Sequence, residues 1–136
     1  MKLFVAVLFL IGTAHMANAA PIFILCDQGT KTDCVVDGDT IYWQGQSLRL
    51  IDIDAPEIFS PHCAFEYDLG IKARDRLLEL LNASVVTLEI LGRRDHDVYG
   101  RKLRLVMVDG ESVGTLLIGE DLASRWQGRH HRWCPQ

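Results

Sequence analysis

The apolar and polar residues of the chain follow two different periods. Segment 35–43 is rich in β-branched and aromatic residues and is followed by Gln-Gly-Gln at 44–46, which predicts a strand and a hairpin turn. The next segment, 49–57, reads RLIDIDAPE and contains the apolar residues of a buried strand. Pro56 has no backbone N–H to donate, so we expect this strand to end there in a turn.

In the second half of the chain the period becomes helical and then returns to that of strands. Residues 64–82 carry Tyr67, Ile71, Leu78 and Leu81 near one face of a predicted helix. The later predicted elements are a strand at 85–91, a polar loop at 92–101, a strand at 102–107, a hairpin turn at 109–110 and a short helix around 113–117. Short strands around one long helix predict a small α+β domain built on a curled antiparallel sheet.

The first 19 residues have the three parts of a secretory signal peptide. Lys2 is followed by an apolar run at 3–11 and then by Ala17-Asn18-Ala19, an A-x-A cleavage site. The apolar run is too short to span a membrane. We therefore expect cleavage after Ala19, an exported protein that is periplasmic or secreted, and no membrane contact after cleavage.

Residues 20–136 are few enough for a single domain. We divide them into an N-terminal segment at 20–34, a main domain at 35–124 and a basic C-terminal tail at 125–136. The whole chain has a formal net charge of −4, which argues against a general nucleic-acid coat protein. Any polyanion must therefore bind to a local basic patch.

All four cysteines follow the predicted cleavage site, and export favours disulfides over free thiols. Four cysteines allow three pairings. Cys26 and Cys34 bracket a short polar loop, so a bond between them is the simplest choice and leaves Cys63 to pair with Cys134. A zinc site that uses Cys63, Cys134 and nearby histidines is the alternative, but the paired Cys-x-x-Cys spacing of structural zinc sites is missing.

Carboxylates are concentrated at two places in the sequence. Asp37 and Asp39 flank a glycine, which suggests a bulge or a close backbone approach, and on a strand both side chains would project from one face. Asp54 and Glu57 lie on either side of the bend at Pro56. If the hairpin brings these two pairs of carboxylates close together, their like charges repel unless a cation binds between them. Carboxylate oxygens are ligands that suit Ca²⁺ or Mg²⁺. An ordinary turn and a solvated acidic loop are the alternatives.

Three motifs occur in order along the chain: DGDT at 37–40, RLIDIDAPE at 49–57 and DVYGR at 97–101. In this order and spacing the sequence resembles the thermonuclease (staphylococcal nuclease-like) family over residues 35–123. The resemblance implies an OB-fold, a barrel of five strands that carries about three helices. It also implies a Ca²⁺-dependent nuclease, here a monomer with its nuclease domain at 35–124, that hydrolyses DNA and RNA and leaves 3′-phosphate ends.

The resemblance assigns a metal site to residues of the first two motifs. Asp39 and Asp54 would bind Ca²⁺ through their side chains, and Ala55 would bind it through its main-chain carbonyl. Asp37 would occupy a supporting position beside them. Ala55 stands where the best-known member of the family has a threonine, and this change keeps the carbonyl. Asp52 replaces an apolar residue of the family. We interpret it as a carboxylate satisfied by backbone donors, and a supporting role beside the metal is the alternative.

The resemblance also assigns the catalytic residues. Glu57 matches the general base of the family, Arg49 and Arg101 match the pair that binds the phosphate, and Tyr99 matches a tyrosine beside the nucleotide. A phosphodiester repels nucleophiles, so the reaction needs cationic groups where charge develops and a base beside the attacking water. Val98 stands where the family has a lysine, and the tyrosines expected after the last helix are missing.

The alternative function is an exported OB-type module that binds oligonucleotide or Ca²⁺ without cleaving anything. A binding module would have no reason to keep Glu57, Arg49 and Arg101 together beside a metal cluster. The three residues therefore favour an enzyme.

Overall fold

The computed structural model describes residues 20–136, so the predicted signal peptide at 1–19 lies outside the described residues. The strands are β1 (Ile24–Leu25), β2 (Cys34–Asp37), β3 (Thr40–Trp43), β4 (Gln46–Leu50), β5 (Ile53–Asp54), β6 (Val86–Glu89), β7 (Lys102–Val108), β8 (Glu111–Ser112) and β9 (Ser124–Arg125). The α-helices are α1 (Ala64–Ala83) and α2 (Val113–Gly119), and a turn of 3₁₀-helix covers Cys26–Gln28.

Seven strands form one sheet in the order β1-β2-β3-β4-β7-β6, with β8 paired to β7. Strands β2, β3 and β4 are antiparallel to one another, but β1 runs parallel to β2 and β7 runs parallel to β4, so the sheet is mixed where an antiparallel one was expected. Strands β5 and β9 form a separate antiparallel pair. The predicted α+β OB-fold is confirmed. About three helices were predicted, and the described residues form two α-helices and one turn of 3₁₀-helix.

The hydrophobic core lies between the sheet and the two helices. Ile41 and Leu50 of the sheet and Leu77 of α1 are fully buried, and burying each such side chain stabilises the fold by about 1.5–3 kcal/mol. The predicted helix 64–82 agrees with α1 to within one residue. Its predicted apolar face is partly wrong, because Tyr67 is 43% exposed while the small residue Ala73 faces the core.

Two predicted strands are interrupted. Segment 35–43 contains a tight turn at residues 38–39 that separates β2 from β3, and the register between the two strands shifts beside the turn. Segment 49–57 turns at residues 51–52, before the predicted stop at Pro56. Hydrophobic pattern alone does not locate these turns, since the flanking apolar residues on both sides are buried.

The structure contains both predicted disulfides, Cys26–Cys34 and Cys63–Cys134, and no free cysteine in the described chain. The second bond joins the N-cap of α1 to the end of the C-terminal tail. The described part of the chain, residues 20–136, has no helix with the length and hydropathy needed to cross a membrane.

Removing the Cys63–Cys134 bond should lower stability more than removing the Cys26–Cys34 bond. The Cys63–Cys134 bond joins residues 71 positions apart and therefore restricts the unfolded chain strongly. In the chain-entropy model, closing a loop of this length stabilises the folded state by about 4 kcal/mol. The Cys26–Cys34 bond joins residues 8 positions apart, and in the same model it stabilises the folded state by about 2.5 kcal/mol. Denaturant unfolding of the two paired Cys→Ser variants measures both losses, and an equal or reversed order would contradict the expectation.

Candidate active site

The first pair of carboxylates lies at the tight turn between β2 and β3. Asp37 Oδ1 accepts a hydrogen bond from Asp39 N at 3.1 Å across this turn. Gly38 is required because the turn packs closely on its neighbours: a Cβ at this position would lie 2.7 Å from Ala55 Cβ and 2.9 Å from Ala73 Cβ. The DGDT glycine therefore permits the close approach of the turn to the central segment.

Asp39 connects this turn to the second pair of carboxylates. Its Oδ2 accepts a hydrogen bond from Ala55 N at 2.8 Å, and its Oδ1 accepts one from Thr40 Oγ1 at 3.3 Å. Asp54 immediately precedes Ala55 at the end of β5. Asp39 and Asp54 are 8% and 2% exposed, so both carboxylates are buried in one place. The structure brings together the three residues that were predicted to hold the metal.

Arg49 contacts both buried carboxylates. Its Nη2 lies 3.1 Å from Asp39 Oδ2 and 3.7 Å from Asp54 Oδ1. Its Nη1 donates to the Ile53 carbonyl at 2.9 Å and also to the Leu50 carbonyl. These contacts fix the orientation of the guanidinium, which is itself buried.

The cluster holds more negative charge than Arg49 balances. Burial raises the pKa of Asp39, and the charge of Asp54 adds to this although Arg49 opposes it. Burial and then the charge of Asp39 raise the pKa of Asp37 to about 7. Burial and then the charge of Asp39 also raise the pKa of Glu57. A cation bound among these carboxyl groups would therefore be stabilised by them.

The donor set fits a hard divalent cation. Asp39, Asp54 and the Ala55 carbonyl supply oxygen ligands, and Ca²⁺ takes roughly six to eight of them, some from water. Within residues 20–136, no three side chains of His, Cys, Asp or Glu are grouped closely enough to hold a metal by themselves. Two carboxylates and a carbonyl do not form such a group of three, so this finding does not conflict with the fit. The remaining positions would be open to water and phosphate.

The C-terminal tail contacts one of these carboxylates, Asp54. Pairing of β5 with β9 places Ser124 opposite Asp54. His130 Nδ1 lies 2.8 Å from Asp54 Oδ1, and His131 N donates to Asp54 Oδ2 at 2.8 Å. Both oxygens of Asp54 are thus used by the tail, and a cation that binds Asp54 must share them or displace the tail.

Glu57 lies on a loop whose backbone is positioned by the start of α1. Glu66, in the first turn of α1, is 3% exposed and accepts hydrogen bonds from Glu57 N at 3.4 Å and His62 N at 2.7 Å. Gly70 allows the loop to approach the helix, because a Cβ there would lie 2.7 Å from the Pro56 carbonyl oxygen. The Glu57 side chain is half-buried beside the cluster.

Arg101 lines a cavity of about 240 Å³ together with Arg49 and Tyr99. Its Nε donates to Asp97 Oδ2 at 2.6 Å and its Nη1 donates to Thr40 Oγ1 at 3.2 Å. Thr40 therefore connects Arg101 to Asp39. Tyr99 is 82% exposed, and its ring centre is 5.4 Å from the Arg101 guanidinium carbon.

Asp52 lies apart from this cluster. Its Oδ2 accepts a hydrogen bond from the Ser112 hydroxyl at the start of α2, and its Oδ1 is buried with no hydrogen-bond partner among the described residues. The expectation that backbone donors satisfy the Asp52 side chain is therefore wrong. The Asp52 carbonyl does accept a hydrogen bond from Trp126 N at 2.9 Å, which helps to hold the tail.

Three residues of the site were not predicted from the sequence. Glu66 positions the backbone of Glu57, and His130 contacts Asp54. Thr40 connects Asp39 to Arg101. A signal for Glu66 was present, because Cys63-x-x-Glu66 has the spacing of a helix capping box, and Cys63 Sγ does accept from Glu66 N. The contact of His130 has no local signal, since it joins residues 76 positions apart.

Comparison with known proteins gives consistent matches. The family described as "Staphylococcal nuclease homologue" matches residues 47–133, more than half of the chain. "Endonuclease YncB" of Bacillus subtilis (strain 168) is 35% identical over 117 residues, which cover 82% of this chain and 52% of that protein. "SPbeta prophage-derived endonuclease YokF" of the same organism is 41% identical over 96 residues, 67% of this chain and 32% of that protein.

A third relative comes from another organism. "Thermonuclease" of Staphylococcus hyicus is 34% identical over 101 residues, which cover 71% of this chain and 59% of that protein. The chain thus spans between about a third and three fifths of the length of these relatives. All three are named as nucleases.

Proposed function

Since the chain belongs to the staphylococcal nuclease homologue family, we propose that it is an exported, Ca²⁺-dependent nuclease that hydrolyses phosphodiester bonds of DNA and RNA. The observation that carries this proposal is the cavity lined by Arg49 and Arg101, because Arg49 also contacts the buried carboxylates Asp39 and Asp54. Two guanidiniums and a cation site at one cavity suit an anionic phosphodiester.

Asp39, Asp54 and the Ala55 carbonyl would hold the Ca²⁺, which when bound supplies positive charge at the phosphate and lowers the pKa of water. Asp37 supports this site through its hydrogen bond with Asp39 N. Arg101 donates to the phosphate oxygens as negative charge develops in the transition state. Its Nη2 has no hydrogen bond to the described residues and is free for this contact.

Glu57 acts as the general base that accepts a proton from the attacking water. Burial raises its pKa, which brings its basicity closer to neutral pH, where a base is most effective. Arg49 has a second task besides binding phosphate, because it partly neutralises Asp39 and Asp54. Tyr99, exposed at the mouth of the cavity, offers a ring surface to the nucleotide.

Export is supported by the two disulfides, since such bonds persist in oxidising compartments. The experiment that tests the proposed function is digestion of labelled single-stranded DNA, double-stranded DNA and RNA, followed by analysis of the product ends. We expect cleavage of all three with 3′-phosphate ends. Products with 5′-phosphate ends would contradict the proposed direction of cleavage, and binding without cleavage would favour a binding module.

A further inference from the structure

The C-terminal tail lines a second cavity, of about 590 Å³, which shares His130 with the cavity lined by Arg49 and Arg101. Three arginines line it, Arg125, Arg129 and Arg132, together with both histidines of the tail. No carboxylate lines it. The local charge is therefore positive although the chain has a net charge of −4.

These three arginines have no ion-pair partner among residues 20–136. By contrast, Arg74, Arg76 and Arg104 each contact a carboxylate within 3 Å at other places on the surface. Arg125, Arg129 and Arg132 are also exposed. Unpaired guanidiniums around one cavity repel each other unless an anion binds there, and their planar donor geometry matches phosphate.

The position of this cavity is fixed relative to the catalytic one. His130 lines both cavities and its Nδ1 lies 2.8 Å from Asp54 Oδ1. Arg125 pairs with Ile53 across β5 and β9, one residue from the same aspartate. The Cys63–Cys134 bond anchors the far end of the tail, so the arginines remain beside the site.

We propose that this tail cavity binds the phosphates of a nucleic-acid strand next to the phosphodiester that is cleaved. This inference rests on the proposed function, because it assumes that the strand enters the catalytic cavity. The two cavities adjoin at His130, so a continuous polyanion can occupy both at once, whereas a mononucleotide or a dinucleotide fills only the first. The tail thereby selects longer strands and favours internal cleavage over the release of single nucleotides.

The test compares two triple variants with the same change in net charge. The tail variant combines Arg125→Ala, Arg129→Ala and Arg132→Ala, and the control variant combines Lys31→Ala, Lys72→Ala and Arg93→Ala, which are exposed residues outside both cavities. Each is made with Glu57→Gln, which slows cleavage, and mixed with a fluorescent single-stranded DNA of about ten nucleotides at a fixed Ca²⁺ concentration. Anisotropy at several salt concentrations gives the affinity and its salt dependence.

We expect the tail variant to bind the strand at least tenfold more weakly than the control variant. The slope of log K against log salt should be smaller by about 0.7 for each lost phosphate contact. A labelled dinucleotide should bind equally to both variants. Equal affinities and slopes for the ten-nucleotide strand would overturn the proposal, as would an equal loss for the dinucleotide. Because unfolding would also weaken binding, Arg129→Ala and Arg132→Ala are tested singly, with circular dichroism spectra recorded for each.

Cleavage assays separate this proposal from the proposed function. With Glu57 restored, the tail variant should show a raised KM for long strands and an unchanged kcat for the dinucleotide. If the wild-type protein cleaves nothing but still shows the tail-dependent binding, the proposed function fails and the tail cavity stands. If the wild type cleaves and the tail variant has an unchanged KM for long strands, only the tail cavity fails.

Discussion

Replacing Glu57 by glutamine should lower kcat by roughly 10²–10⁴-fold, the usual contribution of a positioned general base. The amide keeps the size of the side chain but cannot accept the proton of the attacking water. The hydrogen bond from Glu57 N to Glu66 involves the backbone and survives the change. Folding, Ca²⁺ binding and nucleotide binding should therefore remain close to those of the wild type.

The pH dependence of kcat/KM provides a second signature of this role. The base works in its ionised form, and burial raises the pKa of Glu57 in the free protein, so wild-type kcat/KM should fall as the pH is lowered through this raised pKa. The Glu57→Gln variant should lose that acidic limb. Glu89→Gln, at an exposed position of β6, is the matched control and should cleave normally. If Glu57→Gln cuts as fast as the wild type, Glu57 is not the base.

Replacing Arg101 by alanine should lower kcat by about 10²–10³-fold, which corresponds to the loss of ~3 kcal/mol of transition-state stabilisation. Arg101 contacts Asp97 and Thr40 at the wall of the cavity and is partly exposed, so the fold should survive its removal. Arg101→Lys should recover only part of the activity, because lysine keeps the charge but lacks the fork of donors.

Two comparisons give this expectation a clear control. Arg93→Ala removes an exposed arginine outside the cavity and should leave kcat unchanged. Arg49→Ala should lower both kcat and stability, because it leaves the buried Asp39 and Asp54 without their guanidinium partner. Steady-state kinetics and thermal unfolding of the three variants separate the effects. An unchanged kcat for Arg101→Ala would contradict its role at the phosphate.

The sequence predicts the elements of this fold well where one periodic signal continues for many residues. Helix α1 is the clearest case, because its period holds for some five turns and its ends agree with the structure. The turn at 38–39 was only an alternative to a continuous strand and the turn at 51–52 was not predicted, since short apolar runs have the same pattern whether or not a turn divides them. The parallel pairing of β4 with β7 was also missed, because it joins distant segments.

The residues of the candidate site were found through motifs, but their relations required the three-dimensional structure. The structure places Asp39 beside Ala55 and Arg49 between two carboxylates. The contact of the tail with Asp54 depends on the β5–β9 pairing and on the Cys63–Cys134 bond together. No local pattern encodes a contact that depends on two distant links, so the sequence predicted the Cys63–Cys134 bond but not the contact of the tail with Asp54.

The most direct test of the proposal that Asp39, Asp54 and Glu57 form the site of a Ca²⁺-assisted nuclease is whether cleavage requires the metal. The full chain, purified from an oxidising compartment, is incubated with single-stranded DNA in excess chelator and then again after Ca²⁺ is returned in excess of the chelator. We predict no cleavage in chelator and full recovery with Ca²⁺, because the buried carboxylates need the cation to accept a phosphodiester beside them. Undiminished cleavage in excess chelator would contradict the account.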